Sequence, residues 1–440
     1  MSNQPFHVVI VGAGIGGLCL AQNLKKAGIS VAVYERDESR TARLQGYRIH
    51  INPDGSRALF ESLPPRLWEI FLATCGKSGS GFNFLTEQLK ELLFISVEDM
   101  VGAPLNDPVD SHKSVSRFTL RQVLLTGLED IVHFNKRFLH YEETADDKFI
   151  ACFEDGTTAS CDVLVGADGS NSHVRKQFLP HAPRIETSIW AIQGKTILTD
   201  EIKPLLPKRL YDGPASIAGP HGYGLFIALQ QFQHKPGEIE EIAQAVQLHP
   251  NLLLSDTADF AGWGFLANRN RYGRSRTEME QMDGAELKQI ALEKITDWHP
   301  HLQKLIRAAD PSTVIFTPIQ TSLPIEHWQT KQVTLLGDAI HSMTPARGIG
   351  ANTALRDARL LGRKLAEAHQ GQSPLLQAIQ DYELEMVKYG FNAVISSKKA
   401  LEQSAALENP LSLAMTKTTF RIINAVPPLK RRAFRGFGTE

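Results

Sequence analysis

Three short apolar runs along the chain are each followed by a glycine-bearing turn. The first, "HVVIV" (His7–Val11), is continuous and β-branched, the pattern of a strand buried on both faces, and leads into Gly12. The second, "DVLVGA" (162–167), leads into Asp168 and Gly169, and the third, Val333 to Leu336, into Gly337 and Asp338. Apolar positions then recur at helical spacing after the first and third runs. Leu18, Ala21 and Leu24 mark one helix, closed by Gly28; Leu355, Ala358, Leu361 and Leu365 mark another, starting near Gly350. "VAVYE" is a further strand ending on Glu35. Strand, helix and strand in this order predict an α/β fold with a Rossmann-like parallel sheet.

Between about residues 184 and 321 the pattern changes. "SIWAIQGKTIL" (188–198) and "YGLFIALQQF" (223–232) alternate or run apolar, as strands covering a pocket would. "PGEIEEIAQAVQLHP" (236–250) reads as a charged helix, and residues 284–309 as an amphipathic one. The expected organisation is a discontinuous nucleotide-binding domain over 1–75, 101–183 and 322–372. An inserted α+β substrate-binding domain takes 76–100 and 184–321, and a C-terminal helical segment, interrupted at Pro427-Pro428, takes 373–440.

Composition narrows the function classes. With 47 basic and 48 acidic residues the formal charge is −1, so no global field recruits nucleic acid or an anionic membrane. The basic stretch "LKRRAFR" (429–435) reads as a solvated tail. Cys19, Cys75, Cys152 and Cys161 show no C-x-x-C spacing, which removes dithiol redox chemistry and thiolate metal sites and fits a reducing compartment. No metal is expected. No apolar run approaches the ~18 residues of a membrane span and no signal peptide precedes the first strand; the expectation is a soluble cytoplasmic chain.

The first turn carries chemistry. In G-x-G-x-x-G, Gly12 permits the tight turn, Gly14 lets a pyrophosphate approach the backbone, and Gly17 lets helix pack on strand. The helix that follows offers free N–H groups and the positive end of its dipole to phosphate. Glu35, 18 positions beyond Gly17, is placed for ribose hydroxyls, with Arg36 beside it counted among the cofactor residues. This unit by itself leaves NAD and FAD open.

Taken together, GAGIGG near the N-terminus, GADG in mid-chain and GDAIH…P…G-x-G-x-N late resemble the single-component class A flavin monooxygenases. These are the FAD-dependent aromatic hydroxylases of the para-hydroxybenzoate hydroxylase fold. The likeness runs from Val8 to the helix containing "DYELE" (381–385). It implies FAD as cofactor and gives Asp338 the ribityl hydroxyls, and Asp168 both FAD and the passing nicotinamide. It places Pro345 along the flavin edge, with Gly348 and Gly350 close against the ring, and turns the helix end at Ala351 and Asn352 toward the pyrimidine. Arg121, with Leu124 and Leu128, matches a helix whose arginine contacts FAD. Arg48, in "QGYRIHINPDG", lies in the flavin-side loop and would bond cofactor or substrate. His341 and Met343 are read as packing residues.

The activity implied is reduction of FAD by NAD(P)H, addition of O2, and oxygenation of an aromatic or polyketide-like small molecule through a flavin C4a-hydroperoxide. Pro345 and Arg48 are the catalytic candidates. On the substrate side the candidates are Trp190, His221, Tyr223 and Trp263, each of which also reads as a core or strand-end aromatic. "IQGK" (192–195) lacks the arginine that many relatives carry there. Two other functions stay open, an FAD-dependent dehydrogenase or reductase and a non-enzymatic flavin redox sensor.

Overall fold

The computed structural model describes residues 5–42, 48–101, 107–146, 148–234, 236–245, 258–405 and 408–435. Five parallel strands form one sheet, in the order Val333–Leu335, Val163–Gly166, His7–Val11, Ser30–Tyr34 and Val132–His133. The apolar runs explain why these strands lie at its centre: Val8, Val9, Ile10, Val163, Leu164, Val165 and Val333 are fully buried. The helix Ile15–Lys26 packs against the helix Gly350–His369, and the close approach has an identifiable cause. A Cβ on Gly16 would stand 2.7 Å from Leu336 and 3.3 Å from Ala354.

A second sheet has seven strands, in the order Ile315–Ser322, Arg184–Ile197, Phe260–Asn268, Gly224–Gln230, Ala215–Ala218, Gly81–Thr86 and Glu91–Ser96. Strand alternation gives it two unlike faces. Trp190, Ile192, Ile217, Leu225, Ile227, Trp263 and Phe265 turn to one side, where helices Gly284–Lys294 and Pro300–Arg307 cover them in a dry core. Residues 284–309 thus form two helices rather than one. Pro300, which cannot donate within a helix, opens the second with His299 as its N-cap. The charged helix expected over 236–250 is present as Pro236–Ala245, and the remainder of that stretch lies outside the described residues.

The opposite face carries Ala191, Gln193, Phe226, Ala228, Gln230, Gly262, Gly264 and Leu266. It looks toward two supports. At one end Gln230 Oε1 accepts the hydroxyl of Ser114, on a two-stranded ribbon formed by Arg48–Ile51 and Lys113–Ser116. At the other, Ile189, Ala191 and Ile319 meet Leu401 of the long helix Leu375–Ala405.

The C-terminal helices Pro410–Ala425 and Pro427–Phe434 pack on the edge of the same sheet, the Phe420 ring lying 4.7 Å from that of Phe84 at a tilt of 56°. Part of the basic stretch is therefore not a solvated tail. Lys430 donates to the Phe94 carbonyl at 3.1 Å and pairs at 3.0 Å with the buried Asp99, which Arg431 also approaches at 3.6 Å. A buried carboxylate needs such partners, and the tail supplies them. Among the described residues, no helix is long and apolar enough to cross a membrane.

Candidate active site

All three turns follow the C-terminal ends of parallel strands, where an open α/β sheet presents its ligand crevice. They also touch. Gly12, at φ +110°, lies so close to the second turn that a Cβ would sit 2.4 Å from the Ala167 carbonyl oxygen. A Cβ on Gly17 would be 2.2 Å from the Gly12 oxygen. Gly14 differs: nothing lies within 4 Å of its missing Cβ. The first backbone bond of the helix runs from Leu18 N to Gly14 O, so the N–H groups of Ile15, Gly16 and Gly17 stand ahead of it. The result is a cradle that fits a pyrophosphate.

Glu35 is buried at the end of its strand, one oxygen accepting Ala13 N at 2.6 Å and the other Asp37 N at 2.9 Å. Arg121, on the helix Arg117–Leu125, reaches across to this loop. Its Nε donates to Ala13 O at 3.0 Å and its Nη2 lies 3.4 Å from Asp37 and 4.0 Å from Glu35. Leu124 and Leu128 anchor the segment in the core. Arg36 is exposed beside Glu35.

Asp168 caps the helix His173–Phe178, its Oδ2 accepting His173 N at 2.7 Å and Val174 N at 3.3 Å. Its other oxygen is buried without a partner, a free acceptor that a ligand hydroxyl or amide would satisfy. Arg175 ties this turn to the third one, donating to Ser170 O at 3.2 Å and to Ala339 O at 2.8 Å. Asp338 is exposed at the start of its short helix, as a carboxylate meant for ribityl hydroxyls would be.

Pro345 and Gly348 are exposed on the loop that follows, Gly348 at φ +64°. In the helix Gly350–His369 the first backbone bond runs from Thr353 N to Ile349 O, leaving the N–H groups of Gly350, Ala351 and Asn352 ahead of it. The Asn352 side chain, however, is spent inside the protein. Its Oδ1 accepts Asn52 N at 2.9 Å and its Nδ2 donates to His50 O at 2.9 Å, so it staples the helix to the ribbon and leaves only its backbone for a cofactor.

The sequence reading missed the network beneath the third turn. His341 is not a plain packing residue: its Nε2 lies 2.7 Å from Asp357 Oδ2, both groups being buried. Asp357 also accepts Gly337 N at 2.7 Å and the Tyr389 hydroxyl. Burial pushes the His341 imidazole down, but the Asp357 carboxylate outweighs it and holds the pKa above the ordinary value. Spacing could have shown the pair, since Asp357 stands two turns after Gly350 on the buried side of its helix.

Strand register corrects the substrate candidates. Trp190 and Trp263 face the helix-covered core, their indole N–H groups taken by Glu186 at 2.8 Å and Thr196 at 3.2 Å. Tyr223 packs on Phe265 of the same core, and His221 is exposed on a turn at φ +64°. Arg48 stands on the ribbon, with Nε donating to Ser114 Oγ at 2.7 Å, and burial draws its pKa down to about 10, still cationic at neutral pH.

The chain matches the family model for the FAD binding domain over residues 6–192 and 268–388. It is 31% identical over 428 residues to the dual O-methyltransferase/FAD-dependent monooxygenase elcB of Phaeosphaeria nodorum, covering 89% of this chain and 45% of that one. The chain thus spans under half the length of that relative. It is 28% identical over 410 residues to the FAD-dependent monooxygenase thnD of Trichoderma harzianum, covering 90% of this chain and 93% of that one. Among solved structures, a candidate FAD-containing monooxygenase from Photorhabdus luminescens superposes with a TM-score of 0.76 at 34% identity, covering 90% of this chain and 98% of that one. Klebsiella pneumoniae HpxO complexed with FAD and uric acid shares the fold, with a TM-score of 0.73 at 24% identity over 96% of both chains. By motif, fold and these likenesses, the chain belongs to the FAD binding domain family and, within it, to the class A flavin monooxygenases.

Proposed function

We propose that the chain is an FAD-dependent monooxygenase that uses NAD(P)H and O2 to oxygenate an aromatic or polyketide-like small molecule. One observation carries this reading: the sheet face floored by Ala228, Gly262 and Gly264 is tied through Gln230 and Ser114 to the ribbon, and the ribbon through His50 and Asn352 to the head of the helix Gly350–His369. Those glycines answer no packing need, since a Cβ on Gly264 would meet only Gln193 Cγ at 3.6 Å. They lower the floor for a flat ring.

Bound FAD supplies the oxygen chemistry; the chain's own residues bind, orient and exclude water. Glu35, with Arg121 behind it, holds the adenosine end, the N–H groups of residues 15–17 take the pyrophosphate, and Asp338 takes the ribityl chain. The N–H groups of residues 350–352 place partial positive charge where negative charge builds on reduction. Pro345, Gly348 and Arg48 border the reacting side, and Asp168 is shared between FAD and the visiting nicotinamide.

The test is oxygen uptake by the flavin-loaded protein with NAD(P)H across phenols and aromatic polyketides. Product-forming uptake stimulated by substrate is expected. Equal turnover without O2 would replace the monooxygenase with a dehydrogenase, and absence of NAD(P)H oxidation across the panel would leave a flavin sensor.

A further inference from the structure

The C-terminal helices use one side to hold the seven-stranded sheet and leave the other uncovered. Phe420, Ile423 and Phe434 turn inward onto Leu93, Ile95 and Met100. The outward side is apolar. Leu411, Met415 and Ile422 are 68%, 63% and 55% exposed, and Val426 and Leu429 continue the row. At about 100° per residue the first three fall within roughly 40° of one another, a stripe along the helix Pro410–Ala425. The exposed Ala414, Thr418, Thr419 and Ala425 lie beside them. Single exposed apolar residues are ordinary, but among the described residues five of the thirteen large ones fall between positions 411 and 429, and such a row marks a surface built to be covered.

Charge says what covers it. Residues 410–435 hold six basic side chains and no acid, in a chain whose formal charge is −1. Part of that charge is used inside the protein: Lys417 pairs with Glu87 at 2.6 Å, Lys430 pairs with Asp99, and Arg431 approaches Asp99. Arg421, Arg432 and Arg435 are exposed and pair with no carboxylate among the described residues. Arg421 flanks the stripe, about 80° round the helix from Leu411, and Arg432 stands one turn after Leu429. Their aliphatic stems extend the apolar surface while the guanidinium groups stay at its rim. A second copy of this face would bring like charges together. The row is aliphatic, without the tyrosine or tryptophan that anchors protein interfaces. Aliphatic side chains beside uncompensated arginines suit the boundary between acyl chains and anionic headgroups.

We propose that the outer face of these two helices docks the protein on an anionic lipid surface. The apolar row supplies area and the arginines supply attraction. Either alone gives marginal binding, and together they are the two signals that peripheral attachment needs. The helices lie flat on the surface and do not cross it, since among the described residues no helix is long and apolar enough to do so. The reaction at the flavin plays no part in this attachment.

The test is sedimentation of the whole, flavin-loaded chain with vesicles, one set of pure phosphatidylcholine and one of phosphatidylcholine mixed with phosphatidylserine. Wild type should bind the mixed vesicles about tenfold or more tightly than the neutral ones, and high salt should release it. Leu411→Ser combined with Ile422→Ser, and Arg421→Gln combined with Arg432→Gln, should each weaken binding to mixed vesicles by about tenfold or more. All four side chains are exposed, so melting temperature and flavin content should stay as in wild type. Wild type that stays in the supernatant with both vesicle sets, or double variants that bind as wild type does, overturns the proposal. So does dimerisation without lipid that the Leu411→Ser, Ile422→Ser variant abolishes, which would make the face a contact between copies.

Discussion

Gly14 and Gly17 look alike in sequence and differ in what surrounds them. A side chain at Gly17 would strike the Gly12 carbonyl, whereas one at Gly14 would project into open space. Gly14→Val should therefore fold with a near-native melting temperature yet purify without yellow flavin. Asp338→Ala should behave the same way, losing about tenfold or more in FAD affinity for one charged hydrogen bond. Either variant with full FAD content would remove these residues from the cofactor site. Gly264→Leu is the counterpart on the substrate side. It should keep flavin and fold but lose product-forming turnover, and unchanged turnover would show that the ring does not lie on that floor.

At the scale of elements, a hidden ion pair positions the third turn. His341 has a folded pKa above its ordinary value near 6.5, so its contribution is complete below that value and is lost as pH rises through the raised one. Burial pushes Glu383 up to about 7, from an ordinary 4.5 and against the hydroxyls of Thr330 and Thr334. A raised carboxylate means that the folded state holds the extra proton, so stability falls as pH climbs from about 4.5 to 7. Both groups act in the same direction. Urea midpoints should be lower at pH 8 than at pH 6, and Glu383→Gln should exceed wild type at pH 8 by on the order of 2 kcal/mol. Asp357→Asn should flatten the His341 part and weaken FAD binding by freeing Gly337. Midpoints independent of pH would contradict the pair. The C-terminal helices form another separable element. Phe420→Ala removes a ring packed against Phe84 and should raise hydrogen exchange across residues 410–434 without altering flavin content.

Across the whole molecule, what was legible in the chain was what local pattern encodes. Buried strands announce themselves as apolar runs, and the turns after them carry residues whose types follow from phosphate and ribose chemistry. What was hidden depends on register and on distant partners. Whether Trp263 faces ligand or core turns on a single-residue offset in a strand, and nothing in "AGWGF" fixes that offset. The His50–His112 contact joins residues 62 positions apart through a ribbon with no repeat to reveal it. Asn352 suits a helix end by type, and only the fold shows its amide turned inward to the backbone of Asn52, 300 positions earlier and just past the strand Arg48–Ile51.

The edge strand Val333–Leu335 completes a sheet whose neighbouring strand, Val163–Gly166, was made some 170 residues sooner. On the cofactor assignment proposed above, a growing chain carries the adenosine half of its crevice long before the ribityl half exists. Flavin capture must wait until translation has passed the helix ending at His369, so ribosome-stalled fragments that stop short of it should emerge colourless.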